Sequence, residues 1–283
     1  MKTGLVLEGG AKRGIYTAGV LDVFLQNGIS FDGVIGVSAG AIHGCSYVAG
    51  QIGRSIRYNL NYGNDYRFMS IRSWLLSGNI VDVQFCYHDL PEKLDPFDNE
   101  AFEKSASKFY VTCTNLESGQ PEYIHCRNMT SEIDYLRASA SLPLVSKIVR
   151  VGGKKLLDGG LSDSIPVKAF MNMGYEKNVV IQTRPQGYRK APAKLQWLTK
   201  LVYRRYPRFV ETVLKRHEMY NRELDEIAAL EKEGKALVLR PSRTVKIAKM
   251  EANLEIVKEM YDLGRADGEA AVERVKAFLA GDK

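Results

Sequence analysis

Two glycine-rich segments near the N-terminus constrain the fold of this 283-residue chain more than any other feature. The first is the loop from Gly9 to Gly14, and the second is the turn from Gly36 to Gly40. Each follows a short apolar run and precedes a stretch with helical apolar spacing. The apolar runs predict strands at 3–7 and 31–37, and the helical spacing predicts helices at 15–26 and 39–52. This alternation predicts the start of a parallel α/β sheet.

The rest of the chain continues this alternation and then changes in composition. Strands are predicted at 109–114, 122–126, 179–183 and 236–239, helices at 210–233, 252–263 and 268–279, and a loop-rich passage at 137–166. The sequence turns basic near Pro185. We therefore expect a core domain over residues 1–185 and a basic, mainly helical C-terminal extension over residues 186–283, packed on the core.

Composition excludes several classes of protein. Hydrophobic residues make up 45% of the chain, enough for a large core, so disorder is not expected. Neither a secretory signal nor a run of about 18 apolar residues is present, which predicts a cytoplasmic protein. The four cysteines and four histidines lack metal-ligand spacing, so we expect reduced thiols and no metal site. No cofactor is expected, because the chemistry inferred below requires none.

The turn Gly36-Val37-Ser38-Ala39-Gly40 fits the Gly-x-Ser-x-Gly pattern. In a nucleophile elbow the serine occupies a strained turn between strand and helix, and small neighbours let those two elements approach closely. Ser38 is therefore the candidate nucleophile, with Gly36 and Gly40 as the elbow glycines. The alternative is a glycine-rich packing turn without a catalytic role.

The loop Gly9-Gly10-Ala11-Lys12-Arg13-Gly14 is predicted at the same sheet edge as Ser38. An oxyanion hole is assigned to Gly9, Gly10, Ala11 and Arg13, with the N–H groups of Gly10 and Ala11 as donors. Arg13 is expected to orient the carbonyl or brace the oxyanion hole, and a surface salt bridge is the alternative.

A dinucleotide-binding loop is the competing interpretation of the same segment. That loop requires Gly-x-Gly-x-x-Gly, but alanine replaces the middle glycine here. It also requires an acid about twenty residues further on, and Asp32 matches that position poorly.

Asp158-Gly159-Gly160 supplies the candidate base. The two glycines give the backbone freedom to bring Asp158 close to another loop, as contact with the Ser38 hydroxyl would require. Taken alone, the tripeptide is also compatible with an ordinary β-turn.

Together these segments resemble the patatin-like phospholipase family, in that family's order. The segments are 7–14 for the oxyanion loop, 36–40 for the nucleophile, 138–143 for an Ala-Ser-x-Ser-x-Pro block and 158–160 for the aspartate. Ala11 departs from the family by replacing a third glycine, and Ser164-Ile165-Pro166 replaces an asparagine-rich sequence. The resemblance covers roughly residues 3–183, and the tail resembles an extension of a bacterial subgroup.

The resemblance implies a three-layer α/β/α sandwich with a mostly parallel central sheet. It also implies a serine lipid acyl hydrolase of phospholipase A, lysophospholipase or esterase type. Ser38 and Asp158 would form a dyad, an acyl-enzyme would be the intermediate, and burial would raise the pKa of Asp158. A conventional Ser-His-Asp esterase using His125 or His217, and a non-catalytic scaffold, are the alternatives.

One segment makes the protein basic. Ten Lys or Arg lie between Arg184 and His217 against the single acid Glu211, a sum of +9 in a chain of net charge +7. Aromatic residues are interleaved with these charges, at positions 188, 197, 203, 206 and 209. We expect this segment to rest on an anionic membrane surface, and a solvated helix face is the alternative.

Other partners and roles are less constrained by the sequence. No nucleic acid is expected because no recognition motif accompanies the charges. The aromatic stretch at 58–74 is expected either to line an acyl pocket or to pack in the core. The oligomeric state is left open.

Overall fold

The structure is a computed structural model that describes residues 1–194 and 196–281. Its strands are β1 (Lys2–Leu7), β2 (Gly33–Val37), β3 (Lys108–Asn115), β4 (Pro121–Cys126), β5 (Val149–Val151), β6 (Lys154–Asp158), β7 (Tyr175–Ile181) and β8 (Ala236–Leu239). They form one sheet in the order β5-β6-β3-β2-β1-β7-β8, with β4 paired to β3. The neighbouring strands β3, β2, β1, β7 and β8 pair in parallel. Strands β4 and β6 pair antiparallel with β3, and β5 pairs antiparallel with β6. The predicted mostly parallel sheet is confirmed.

Helices cover both faces of this sheet. They are α1 (Ile15–Gln26), α2 (Ala39–Val48), α3 (Arg54–Tyr62), α4 (Ile71–Ser77), α5 (Asn99–Lys104), α6 (Met129–Ser139), α7 (Val167–Asn172), α8 (Gln196–Val202), α9 (Pro207–Lys232) and α10 (Leu254–Ala280). A π-helical segment, Phe85–Leu94, and short 3-10 turns at Ala11–Gly14 and Gly159–Leu161 complete the regular structure of the described residues.

Alternation along the strands creates two apolar cores. Successive strand side chains point to opposite faces, so Leu5 and Leu7 pack with α1, α2, α6 and α10, whereas Val6 packs with α7 and α9. Helices, sheet and helices thus form three layers, and the predicted α/β/α sandwich is confirmed.

The C-terminal segment is built into this sandwich. β8 extends the sheet beside β7, and α10 packs along α1. The close approach needs glycine: a Cβ at Gly264 would lie 2.1 Å from the Tyr16 carbonyl oxygen, and one at Gly19 would lie 2.3 Å from that of Tyr261. Tyr261 also donates a hydrogen bond to Asp22 at 2.7 Å.

Several local predictions are wrong. The helices predicted at 252–263 and 268–279 are one helix, because the glycines between them pack against α1 instead of ending a helix. The passage predicted as loop-rich contains β5 and β6, and α3 and α4 were not predicted. No helix in the described part of the chain combines the length and apolarity needed to cross a bilayer.

Candidate active site

The pairing of β3 brings Ser38 and Asp158 together. Val37, the last residue of β2, pairs with Thr112 of β3, and Asp158, the last residue of β6, pairs with the next residue, Cys113. Strand β4 occupies the other side of both positions, so β2 and β6 follow one another along the same side of β3. The chain leaving β2 at Ser38 therefore turns directly beside Asp158.

Ser38 has the backbone geometry of a nucleophile elbow. Its φ of 53° and ψ of −121° lie outside the regions that non-glycine residues ordinarily adopt, at a cost of about 1–3 kcal/mol. A Cβ at Gly36 would lie 2.5 Å from the Cα of Ala41, and a Cβ at Gly40 would lie 2.4 Å from the carbonyl oxygen of Leu7. Both elbow positions thus exclude any side chain.

Asp158 is almost completely buried, with 2% of its surface exposed. Burial raises the pKa of its carboxyl, and the charge of Arg216, the Ser38 hydroxyl, the Gly160 N–H and Lys249 oppose this rise. The Gly160 N–H donates to Asp158 Oδ1 at 2.8 Å. The carboxylate is therefore oriented by its own loop and held among groups that favour its ionised form.

The Ala-Ser-x-Ser-x-Pro block contacts both residues of this pair. The Ser38 N–H donates to Ser139 Oγ at 2.8 Å, and that hydroxyl donates to the Thr112 carbonyl at 2.7 Å. Two residues on, the Ser141 carbonyl accepts the Asp158 N–H at 2.9 Å. The block thus fixes the elbow and the aspartate loop relative to β3, a role that its sequence alone did not indicate.

The glycine loop lies against the elbow. A Cβ at Gly9 would lie 3.2 Å from Ser38 Cβ, and the Arg13 N–H donates to the Gly10 carbonyl at 3.1 Å. Among the hydrogen bonds of the described residues, none uses the N–H of Gly9, Gly10 or Ala11. These donors are therefore available beside the nucleophile.

Ala11 adopts φ 48°, in the left-handed region that favours glycine. The position where this sequence departs from the family pattern thus requires the conformation that a glycine would adopt more easily. The alanine accepts it at a cost of about 1–2 kcal/mol. Its N–H is retained, so the loop keeps its donor.

Helix α9 braces the loop that follows Asp158. The Ser164 hydroxyl donates to the Gly160 carbonyl at 2.8 Å, and Arg216 Nε of α9 donates to the same oxygen. The Ser164 N–H donates to Glu223 of α9 at 3.1 Å. A Cβ at Gly159 would meet a carbonyl oxygen of β3 at 2.1 Å. The second departure from the family pattern, at Ser164, is therefore compensated by contacts from the C-terminal segment.

Ser38 and Asp158 line a cavity of about 640 Å³, which we call the catalytic cavity. A smaller, mainly apolar cavity of about 180 Å³, which we call the apolar cavity, adjoins it. The residues that line both are Ile42, Tyr58, Phe68, Met69, Val81 and Tyr87. Part of the aromatic stretch at 58–74 thus lies where the two cavities meet.

The two histidines nominated for a triad lie in different surroundings. His125 is on β4 and stacks on Tyr110, with ring centroids 4.9 Å apart. His217 lines the catalytic cavity, and its Nδ1 lies 3.2 Å from the Leu214 carbonyl oxygen. In the described part of the chain, neither histidine hydrogen-bonds to Ser38.

Two further buried groups in the cavity wall were not predicted as site residues. Burial, helped by the charge of Lys12, lowers the pKa of His43 to about 3, and its Nδ1 lies 3.0 Å from Ser55 Oγ. Burial also lowers the pKa of Lys12 to about 8, and its ammonium donates to Asn59 at 3.0 Å. Within residues 1–194 and 196–281, no group of three His, Cys, Asp or Glu could hold a metal ion.

Part of the basic segment also faces inward. Arg184, Lys190 and Arg216 line the catalytic cavity, together with Lys249 from the chain before α10. The basic segment was visible in the sequence, but its charge predicted an outer surface and not a cavity wall. Only the packing of this segment against the catalytic core turns these side chains toward Ser38.

Several known proteins are similar to this chain in sequence or structure. A protein described as "Uncharacterized protein YjjU" from Escherichia coli K12 is 27% identical over 288 residues, covering 97% of this chain and 78% of that protein. "Lysophospholipase nte1" of Aspergillus terreus is 29% identical over 198 residues, covering 65% of this chain but only 12% of that protein. The structure of VipD from Legionella pneumophila superposes with a TM-score of 0.44 at 13% identity, covering 95% of this chain and 67% of that one.

Two family models match separate parts of the chain. A domain of unknown function, DUF6363, matches residues 206–280, which include α9, β8 and α10. The patatin-like phospholipase model matches residues 5–171, more than half of the chain, and includes Ser38, Asp158 and the glycine loop. The chain therefore belongs to the patatin-like phospholipase family.

Proposed function

We propose that this protein is a serine lipid acyl hydrolase of phospholipase A, lysophospholipase or esterase type, with Ser38 as nucleophile and Asp158 as base. The observation that carries the proposal is the strained Ser38 elbow directly beside a buried carboxylate at one side of β3. Family membership supports a lipid ester as substrate, and the lysophospholipase named among the relatives is consistent with it.

The proposed reaction uses groups of this chain and water. Ser38 Oγ attacks the ester carbonyl while Asp158 accepts the hydroxyl proton, and the N–H groups of Gly10 and Ala11 stabilise the oxyanion. Collapse of the tetrahedral intermediate transfers that proton to the departing alcohol and leaves an acyl-enzyme. Asp158 then takes a proton from the water that attacks the acyl-enzyme and passes it to Ser38 Oγ as the second tetrahedral intermediate collapses, which releases the fatty acid and regenerates the serine.

The surroundings of Asp158 suit this role. A free aspartate, with a pKa of about 4, is a weak base at neutral pH. Burial raises the pKa of Asp158, which makes the carboxylate a stronger base, while Arg216 opposes the rise and keeps it ionised. The two effects together favour a carboxylate that is both basic and charged.

The apolar cavity is the proposed site of the fatty acyl chain. It is lined mainly by apolar side chains from α2, α6 and the π-helical segment, and it shares Tyr58 and Phe68 with the catalytic cavity. An acyl chain buried there would leave its ester carbonyl in the catalytic cavity with Ser38.

We also propose that the protein rests on an anionic lipid surface. Helix α4 exposes Ile71, Leu75 and Leu76 by 64%, 73% and 71%, and Met69 and Ile80, which precede and follow this helix in the chain, line the catalytic cavity. Helix α8 exposes further large apolar side chains: Trp197, Leu201 and Val202. Exposed arginines at 204, 205 and 208 follow them and complement anionic headgroups.

Substitution of the dyad tests the proposal. Hydrolysis of a p-nitrophenyl ester series should fall about a thousandfold or more in Ser38→Ala and in Asp158→Asn, because each removes a group that acts in the transition state. Circular dichroism should show that both variants fold like the wild type. Activity retained by Ser38→Ala would exclude this nucleophile.

His125→Ala and His217→Ala discriminate the dyad from a histidine triad. Both should keep most of the wild-type activity, since neither ring is given a chemical role. Loss of turnover in a folded histidine variant would favour the conventional esterase, and a folded wild type inactive on every ester would favour a scaffold.

A further inference from the structure

The catalytic cavity carries far more positive than negative charge. Six Lys or Arg line it against two acids, Glu8 and Asp158. The cations are Lys12, Arg13, Arg184, Lys190, Arg216 and Lys249. A cavity with low-dielectric walls and one sign of charge concentrates ligands of the opposite sign.

Among the described residues, these cations form no close ion pair with a carboxylate. In the described part of the chain, none of the six forms a salt bridge, although cations elsewhere on the protein commonly do. Glu8 supplies one negative charge against six positive ones, and its carboxylate accepts hydrogen bonds from the Thr183 N–H and from the Tyr220 hydroxyl and not from any of the six. Asp158 is the proposed base. Arg13 Nε is buried and makes no hydrogen bond to the described residues.

The cations also act on one another. Burial and then the charge of Arg216 lower the pKa of Lys190 to about 8. Burial and the charges of Arg216, Arg13 and Arg184 lower the pKa of Lys249. The folded protein thus carries a repulsion that an anionic ligand would relieve, which is typical of a binding site.

Four of the six form a group outside the part matched by the patatin-like phospholipase model, which ends at residue 171. We call them the headgroup cluster: Arg184, Lys190, Arg216 and Lys249. Two of these side chains are positioned by aromatic rings, since Arg184 lies 4.3 Å from the ring centroid of Tyr188 and Lys190 lies 4.3 Å from that of Tyr220. Arg216 and Lys249 fall within the domain of unknown function.

We propose that the headgroup cluster binds the phosphate of a lipid whose headgroup carries a net negative charge. The substrate class is then an anionic glycerophospholipid or its lyso form, in preference to a choline or ethanolamine lipid. This inference rests on the proposed hydrolase function and assigns substrate recognition to the C-terminal segment. Arginine and lysine bind phosphate through charge-assisted hydrogen bonds.

The same charges argue against a zwitterionic headgroup. A choline or ethanolamine ammonium entering the catalytic cavity would meet six cations and only two acids. The apolar cavity adjoins the catalytic cavity, so a lipid can extend its chain into the apolar cavity and its phosphate toward the headgroup cluster. The scissile ester would then lie between them, beside Ser38.

Selectivity is measured with lysolipids of one acyl chain in neutral-detergent micelles. The wild type should hydrolyse lysophosphatidylglycerol with a kcat/KM at least tenfold above that for lysophosphatidylcholine. Arg184→Gln/Lys190→Met should lower the ratio of kcat/KM for lysophosphatidylglycerol to that for uncharged p-nitrophenyl butyrate by at least tenfold. Equal hydrolysis of the two lysolipids by the wild type would overturn the inference.

A matched control separates the cavity from overall charge. Arg222→Gln/Lys232→Met also removes one arginine and one lysine, but from exposed positions on α9 that do not line the catalytic cavity. This variant should keep the wild-type ratio. A loss of selectivity equal to that of the cavity variant would attribute the effect to net charge and contradict the headgroup cluster.

Binding to the Ser38→Ala variant separates lipid phosphate from free phosphate and does not depend on turnover. By calorimetry, dodecyl phosphate should bind at least tenfold more tightly than inorganic phosphate or dodecylphosphocholine, and Arg184→Gln/Lys190→Met should abolish this preference. Equally tight inorganic phosphate would indicate a small-anion site and overturn the lipid assignment. If the wild type hydrolyses no ester while dodecyl phosphate still binds with this preference, the hydrolase proposal fails and the subsite stands.

Discussion

Ser38 is held in its strained conformation by groups on neighbouring elements. Its N–H donates a hydrogen bond to Ser139 Oγ, and the Ser139 hydroxyl donates one to the Thr112 carbonyl of β3. Because Ser139 is fully buried, both partners would lack water if this hydroxyl were removed. The first serine of the block is thus a positioning residue for the nucleophile.

Ser139→Ala should therefore weaken both stability and catalysis. It leaves a buried N–H and a buried carbonyl unpaired, so we expect the free energy of unfolding in urea to fall by about 1–3 kcal/mol. The kcat for a p-nitrophenyl ester should fall about tenfold, as the loss of about 1.4 kcal/mol of transition-state positioning would produce. Ser141→Ala is the control, since that hydroxyl donates only to the Arg137 carbonyl. An equal fall in kcat for both variants would contradict the role of Ser139.

The pH dependence of activity should report on Asp158. Burial raises its pKa above the ordinary value of 3.8, and the base must be ionised, so kcat/KM should rise with pH through the raised pKa. Arg216→Gln removes a positive charge that opposes the rise in the pKa of Asp158. The acidic limb of the pH profile of kcat/KM should therefore move to higher pH. Arg216→Lys keeps the charge and should leave the limb nearer its wild-type position.

An uncharged p-nitrophenyl ester keeps this measurement independent of headgroup binding. A limb that stays in place or moves to lower pH in Arg216→Gln would show that this arginine does not favour the ionised carboxylate.

At the scale of elements, β3 determines the geometry of the site. It pairs with β2 along its first part and with β6 beyond the end of β2, so two strand ends meet on one side. The sequence predicted β3 and the two catalytic segments, but it did not predict β6 or its register. Register depends on hydrogen bonds between segments far apart in the chain, which local patterns do not encode.

The contact between α1 and α10 depends on small residues. Gly264→Val would place side-chain atoms against the Tyr16 carbonyl and force the helices apart, so we expect a loss of about 1–3 kcal/mol in the free energy of unfolding. Ala266→Val introduces the same residue on the exposed face of α10 and should cost much less. Similar losses in both variants, measured in urea, would show that helix propensity and not packing explains the effect.

At the scale of the whole molecule, two helices with exposed apolar side chains lie next to the catalytic cavity: Met69 and Ile80 flank α4, Thr199 lies on α8, and all three line the cavity. The proposed orientation places α4 and α8 against a lipid surface. A lipid could then pass from the surface into the catalytic cavity without crossing water.

Vesicle binding tests this orientation. Leu75→Asp/Leu76→Asp replaces two largely exposed leucines with charges, and binding to vesicles containing phosphatidylglycerol should fall at least about tenfold, since burial of each leucine contributes about 1.5–3 kcal/mol. Wild-type binding should weaken as salt screens the basic side chains. Ile52→Asp/Leu94→Asp changes exposed apolar residues that line neither cavity and should bind like the wild type. If neither the leucine substitutions nor salt changed binding, vesicle binding through α4 and α8 would be excluded.

The sequence by itself determined the local features of this protein. The elbow at 36–40 requires small residues for steric reasons that act within a few positions, and strand and helix periods are equally local. Strand, helix and turn followed from these patterns, and the order of the motifs predicted the family and the layered fold.

Only the tertiary structure decided which distant groups share the site. The neighbourhood of Ser38 and Asp158 comes from two strands using one side of β3, and the continuous helix α10 comes from packing against α1. The direction of the basic side chains came from α9 and the preceding chain folding over the catalytic cavity. The sequence reports that a segment is charged, but whether a charge faces solvent or substrate depends on the surface against which that segment packs.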